Sequence, residues 1–434
     1  MLSGFVAFVT LTAADPRRIY TSLPVAQGLW TVNEHPHYTR MAYNSPPMTL
    51  ILLQNANLYV PQKRGICSVL VGGGKVLAIA PEGESLGLSG VPVELLDLEG
   101  ARLIPGFVDC HAHITGGGGE DGASTKVPAP LLRHFTTAGV TSVVGLLGTD
   151  DVTRATAELL ASSRSLRESG ISAWCWTGGY HLPPKTLTGT LRGDIVHLDS
   201  VIGAGEIALS DHRSSQPTLE DLLKAAGDCH VGGLIARKAG VLHLHLGDGE
   251  RGLELVRAAL DTSEIPARVF HPTHINRRTI LFEEALELAE RGCHVDLTAF
   301  PVAENEDGFS AEQGLQRYLE SGLPPERISV SSDGGGCLPV FDMDGRMTDM
   351  GVGTSASLPE TLAKACELGI PLESALPAFT SNIANHLRLS GKGRVAEGCD
   401  ADLLILSSKG KVDSVMAHGR WMVREGTCLE VGVT

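Results

Sequence analysis

Pro105-Gly106-Phe107-Val108-Asp109-Cys110-His111-Ala112-His113 sets two imidazoles two residues apart at the end of an apolar run. Successive side chains of a strand point to opposite faces, so residues i and i+2 share one face. His111 and His113 therefore aim at a common point, and imidazole is a frequent ligand for zinc and related divalent ions. The preceding run, 103–108, is apolar enough for a parallel strand covered on both faces. Exposed His-x-His pairs also arise by accident, so the weight of this one depends on what later strands add.

Outward from this stretch the chain alternates strand and helix. Apolar strand-like runs fall at 103–109, 141–147, 172–177, 206–210, 241–246, 269–273, 293–299 and 328–332. Amphipathic stretches lie between them, for example 128–138, 151–169, 219–226, 252–262 and 281–291. Such alternation predicts an α/β fold, a (β/α)8 TIM barrel over 103–390. An open doubly wound sheet is the alternative, but it does not explain why polar residues gather after each run. In a barrel those strand ends converge on one face, where catalysis sits. From Met48 to about 102 the pattern is instead short strands, with a hairpin at 68–79 turning on glycines. The last forty residues repeat it at 401–406, 412–416 and 421–423, so 48–102 and 391–434 are expected to form one small β-sandwich domain built from both chain ends.

Composition narrows the possible functions. The 434 residues are 43% hydrophobic, enough for a large core. No run approaches the length of a membrane span. A net charge of −15 without a Lys/Arg cluster argues against nucleic acid. The 9 cysteines are scattered, with no CxxC, which suits a reducing, cytoplasmic setting. Residues 1–47 read as an extension with 5 prolines, no clear period and polar clusters such as Asn33-Glu34-His35-Pro36-His37, so Met48 is a candidate start. An apolar stretch at 2–11 lacks a preceding positive charge, which weakens a signal-peptide reading.

The residues at the end of each run make up the candidate site. The second run ends in Gly148-Thr149-Asp150, and the third leads into Gly179-Tyr180-His181. The fourth begins near Glu206 and ends in Ser210-Asp211-His212-Arg213; the fifth reads His243-Leu244-His245-Leu246-Gly247-Asp248. The sixth ends in Pro272-Thr273-His274-Ile275-Asn276-Arg277, the eighth in Ser331-Ser332-Asp333-Gly334. His-x-His on strand one, single histidines on strands five and six, and aspartate on strand eight resemble the amidohydrolase superfamily. More closely, the chain resembles the isoaspartyl (β-aspartyl) dipeptidases, metallopeptidases of that superfamily. The likeness runs from about Met48 to Val431, and its most specific segments are Gly116-Gly117-Gly118-Gly119-Glu120, TSVVGLLGTD at 141–150, SDHRS at 210–214, PTHINR at 272–277 and Ser331-Ser332-Asp333-Gly334.

The resemblance implies two divalent metal ions, and the His/carboxylate donor set favours zinc, with cobalt or manganese able to substitute. His111, His113 and Asp333 would hold one, and His245 and His274 the other. The carboxylate between the metals normally comes from a carboxylated lysine on strand four. Here the matching position is Glu206, and no lysine occurs between Lys185 and Lys224. Glutamate supplies the same bridging oxygens but is shorter, and the segment 201–206 is one residue longer than the usual pattern. A mononuclear site is the alternative. A water held between two cations loses its proton near neutral pH, which makes a hydroxide nucleophile. By resemblance Asp333 would act as general base and acid, and Tyr180 would stabilise the oxyanion. For an isoaspartyl dipeptide, Glu120 would meet the ammonium, Arg277 and Thr149 the α-carboxylate, and Arg213 the far carboxylate, with Gly118 lending a backbone group. Arginine suits carboxylates because its planar fork pairs bidentately. Cys337 stands where the family has serine. The resemblance also implies a homo-oligomer acting on a small dipeptide.

Duller readings apply to several of these residues. His243 shares parity with His245, so parity leaves either as the ligand; the adjoining Gly247-Asp248 selects His245. His271 reads as a core or supporting histidine, and His181 and His212 as partners that orient ligands. Cys229-His230 and Cys293-His294 fall outside the strand-end set and read as structural. Glu206 as a plain strand carboxylate, and Arg213 and Arg277 as rim salt bridges, are the bland alternatives. Glycines 116–119 are not a P-loop, since no Lys-Ser/Thr comes after them. Other functions stay open: an N-acyl amino-acid hydrolase, a cyclic amidase such as a dihydroorotase or hydantoinase, or a scaffold without chemistry.

Overall fold

The computed structural model describes residues 49–88, 90–302, 307–341 and 346–429, so the expectation of an extension over 1–47 lies outside the described residues. Eight strands run through the middle of the chain: Phe107–Ala112, Val140–Gly145, Ser172–Thr177, Val201–Leu209, Val241–Leu246, Phe270–Thr273, Val295–Thr298 and Ile328–Ser331. The first six pair in parallel and in sequence order, and the last two pair with each other. That pair closes the ring. On one side Asp333 N donates to His111 O at 3.0 Å, and His113 N to Gly334 O at 2.8 Å. On the other, Thr298 N donates to Asn276 Oδ1 at 2.8 Å, and Thr273 Oγ1 to Asp296 Oδ2 at 2.7 Å.

Helices cover the outside because their apolar residues recur on one face. In Leu219–Ala236 the buried set is Leu222, Ala225, Ala226, Cys229, Gly232 and Gly233, the spacing of a helix packed on one side. Its start is fixed by a capping box: Asp221 N donates to Thr218 Oγ1 while Thr218 N donates to Asp221 Oδ2, a pair of contacts that satisfies two otherwise orphaned donors. Among the described residues no helix is long and apolar enough to cross a membrane.

The run 103–109, expected as one strand, is two. Arg102–Pro105 joins the sheet made from the chain ends, and Phe107–Ala112 begins the barrel. Gly106 marks the break, where a Cβ would lie 2.2 Å from the Thr141 hydroxyl. The end sheet runs in the order 427–428, 420–424, 412–417, 403–406, 102–105, 50–59, 63–72, 75–81, with 93–97 pairing in parallel to 50–59. Both of its faces are used. Leu103, Leu403 and Met416 pack with Leu53 and Val69 in its own core, whereas Ile104, Leu404 and Val415 join the barrel core. This period-2 sorting stabilises by about 1.5–3 kcal/mol for each fully buried large side chain.

Candidate functional site

At the carboxyl ends of the barrel strands, Glu206 is the centre of a buried cluster. Its Oε2 lies 3.5 Å from His111 Nε2, 3.0 Å from His245 Nδ1 and 3.5 Å from His274 Nε2, and its Oε1 lies 3.5 Å from His113 Nε2. Asp333 Oδ1 closes the other side, 3.5 Å from His111 Nε2 and 3.2 Å from His113 Nε2. Two triplets converge so that their ligand atoms lie within 4.8 Å of one another: His111, His113, Asp333 and His111, Glu206, His274. His245 stands outside both triplets. Its Nε2 is 3.0 Å from Asp211 Oδ2, leaving Nδ1 for Glu206.

Local backbone explains how these side chains reach one point. Strand 201–209 carries a bulge: Leu242 pairs with Ala204 but Leu244 with Ile207, so three residues on one strand span two on the other. A bulge bends its strand and re-aims a side chain. The extra residue in 201–206 is therefore absorbed beside Glu206, and the shorter carboxylate sits among all four histidines. Gly205 permits the approach, since a Cβ there would lie 2.7 Å from His243 O. His274 and Asp333 both adopt left-handed backbone, with φ of 60° and 52°. Non-glycine residues in that region cost on the order of 1–3 kcal/mol and gather at functional sites.

These residues fit a metal centre. His111 Nε2 and Asp333 Oδ1 are buried and have no hydrogen-bond partner, a costly state for polar atoms unless a ligand completes them. Two ligands each about 2.1 Å from one tetrahedral ion are about 3.4 Å apart, and the separations of 3.2 to 3.5 Å around Asp333 match that. The charges point the same way. Burial alone would lower the pKa of His111, but Glu206 and then Asp333 raise it to about 9. Burial would raise Glu206, but His111 and His245 hold it well below the ordinary carboxylate range. His274 is pushed down to about 3, chiefly by burial, against the pull of Glu206. The carboxylates thus favour positive charge at His111, while burial keeps His274 neutral with a lone pair to offer.

A second group lies beside this centre. The Glu120 carboxylate receives the Thr149 hydroxyl at 3.1 Å and the Cys337 thiol at 3.1 Å, with the Arg213 guanidinium 3.5 Å away. Arg213 is fixed by Asp211, Nη2 to Oδ2 at 2.7 Å, and its Nη2 lies 3.5 Å from His245 Nε2. The Tyr180 hydroxyl is 3.0 Å from His245 Nδ1. Gly118, at φ 73°, leaves no room for a Cβ, which would meet Thr125 O at 2.4 Å. Arg277 is half-buried at the end of the short helix Ile275–Arg277, close enough for its charge to help lower the pKa of His274.

The structure also sorts the residues that the sequence left ambiguous. His243 faces His111 and His271 rather than Glu206. His181 turns to Asp151, 3.1 Å away, instead of orienting a ligand. His212 is at the half-exposed rim, 3.8 Å from Asp211. Sequence reasoning missed Asp211 as the clamp of both Arg213 and His245, although it lies in the same short segment. It missed Arg154 as well, which is buried and donates to the carbonyls of Thr115, Gly117 and Val127, holding the glycine loop that carries Glu120.

The chain is similar to known proteins in sequence and fold. Residues 209–422 match the Amidohydrolase family. A β-aspartyl dipeptidase of Fervidobacterium islandicum AW-1, solved in complex with the β-Asp-Leu dipeptide, superposes with a TM-score of 0.83 at 38% identity, covering 89% of this chain and all of that one (100%). Imidazolonepropionase of Salinispora arenicola is 26% identical over 366 residues, 76% of this chain and 84% of that protein. A local stretch of 67 residues is 34% identical to the N-substituted formamide deformylase of Arthrobacter pascens, spanning only 12% of that protein.

Proposed function

Because the chain belongs to the amidohydrolase superfamily, in its β-aspartyl dipeptidase branch, we propose that this hydrolase cleaves β-aspartyl (isoaspartyl) dipeptides at a two-metal centre, most simply of zinc. The observation that carries the substrate class is the pairing of Glu120 with Arg213, 3.5 Å apart and next to the metal-type cluster. An anion and a cation side by side complement a substrate that carries both an ammonium and a carboxylate, and an isoaspartyl dipeptide would present its α-ammonium to Glu120 and its far carboxylate to Arg213. N-acyl amino acids and cyclic amides lack that ammonium, so they would offer Glu120 no charged partner.

His111, His113 and Asp333 would hold one ion and His245 and His274 the other, with Glu206 between them. Divalent metal, when bound, supplies an acidified water and a Lewis acid for the scissile carbonyl. Asp333 would take the proton of the attacking water and deliver it to the leaving amine as the C–N bond breaks. Tyr180 is suited to donate to the oxygen that becomes negative. Burial is the largest influence on its hydroxyl and raises its pKa well above the ordinary value, so it stays protonated. Glu120 would bind the ammonium, Arg277 and Thr149 the α-carboxylate, Arg213 the far carboxylate, and Gly118 and Cys337 would line the same pocket. A reducing, cytoplasmic setting is supported by 9 unpaired cysteines, five of them buried.

The test is turnover by metal-loaded protein of β-Asp-Leu, of N-acetyl-leucine and of a hydantoin, side by side. Release of leucine from β-Asp-Leu alone is the expected result. Preferential hydrolysis of the acyl or cyclic compound would replace this substrate with one lacking the ammonium.

A further inference from the structure

Below the metal-type cluster, three buried histidines form a continuous hydrogen-bonded column. His111 Nδ1 is 2.8 Å from His243 Nε2, and His243 Nδ1 is 3.1 Å from His271 Nδ1. All three side chains are fully buried. His243 is further held flat against Trp176, with ring centroids 5.1 Å apart and planes 16° from parallel, while Trp176 Nε1 donates to Cys110 O at 3.0 Å. The column therefore has little freedom to rotate.

A neutral imidazole carries one proton on two nitrogens, so each ring can donate through only one of them. If His111 offers the lone pair of Nε2 to a cation, its proton is on Nδ1 and is donated to His243 Nε2. The proton of His243 then lies on Nδ1 and is donated to His271 Nδ1, which leaves the proton of His271 on Nε2. One choice at the top sets all three tautomers. We infer that His243 and His271 are positioning residues that lock His111 in the tautomer and orientation a metal ligand needs, a histidine column standing where such ligands usually lean on a carboxylate or a carbonyl.

The inference rests on the reading of His111 as a ligand, and the two can fail separately. The experiment compares the dissociation constants of zinc, by chelator competition, for wild type, His243→Phe, His243→Gln and His271→Phe. Imidazole nitrogen shifts of zinc-loaded wild type, labelled with 15N at histidine, give the tautomers directly and depend on no variant. We expect His243→Phe to weaken zinc binding by about 10–100-fold, the range for partners of metal ligands. His243→Gln should recover part of that loss, because its amide oxygen accepts from His111 Nδ1. The shifts should report protons on Nδ1 of His111, Nδ1 of His243 and Nε2 of His271. Equal zinc affinity in His243→Phe and wild type, or the opposite tautomer at His243, overturns the column. So would a thiolate-to-cobalt band that disappears in Cys110→Ser, because Cys110, His271 and Asp296 also lie within 4.8 Å of one another and His271 would then be a ligand itself. Wild type that binds no zinc would instead overturn the metal reading of the strand-end site.

Discussion

Two buried polar layers sit one above the other inside the barrel, and they satisfy their lone pairs in opposite ways. In the lower layer the Asp296 carboxylate accepts from Ser329 at 2.5 Å, Ser331 at 2.5 Å and Thr273 at 2.7 Å. In the upper layer Asp333 Oδ1 accepts nothing, although it too is buried and faces two histidines. Both layers are acidic, histidine-rich and buried. What separates the two carboxylates is completion: Asp296 is closed by hydroxyls supplied by its own strands, and Asp333 Oδ1 is closed only if a cation joins it. Unpaired lone pairs that converge, rather than polarity as such, mark the reactive end of this barrel.

The contrast has measurable consequences. Asp333→Asn should lower kcat for β-Asp-Leu by about 10³–10⁴-fold, the upper range for loss of a general acid–base group; a fall below tenfold in steady-state turnover would remove Asp333 from proton transfer. Tyr180→Phe should cost about 10²-fold in kcat with metal content unchanged, and an intact kcat would show that its hydroxyl only braces His245. Glu120→Gln should raise KM by about 10–100-fold through the loss of one charged contact worth about 1.5–3 kcal/mol, with kcat less affected. The smallest effect belongs to the lower layer. Asp296→Asn should leave metal per chain unchanged and reduce unfolding free energy by about 1–3 kcal/mol in urea titration, since one hydroxyl loses its acceptor. Loss of a metal equivalent in that variant would erase the distinction between the layers.

Much of this was legible in the chain. Parity alone puts His111 and His113 on one face, and the alternation of runs and helices carries the eight-stranded barrel. Parity could not separate His243 from His245, because both point inward and differ only in depth, which depends on how neighbouring strands are staggered. Nor could it show the break at Gly106, where an unbroken apolar run serves two sheets and the cause is a close approach to Thr141 from another strand. The role of Asp211 was hidden for a similar reason: its partner His245 is 34 residues away. Glu206 was legible as a departure from lysine, but the bulge that brings it among four histidines appears only in the register with strand 241–246.

The position of Glu206 carries the whole site, so metal per chain should be measured by atomic emission for wild type and Glu206→Ala, purified and loaded identically. Two ions in wild type and one or fewer in Glu206→Ala, with β-Asp-Leu hydrolysis lost in parallel, is the predicted result. One ion in both proteins, with hydrolysis indifferent to the substitution, would contradict it and leave a mononuclear enzyme in which Glu206 is an ordinary strand carboxylate.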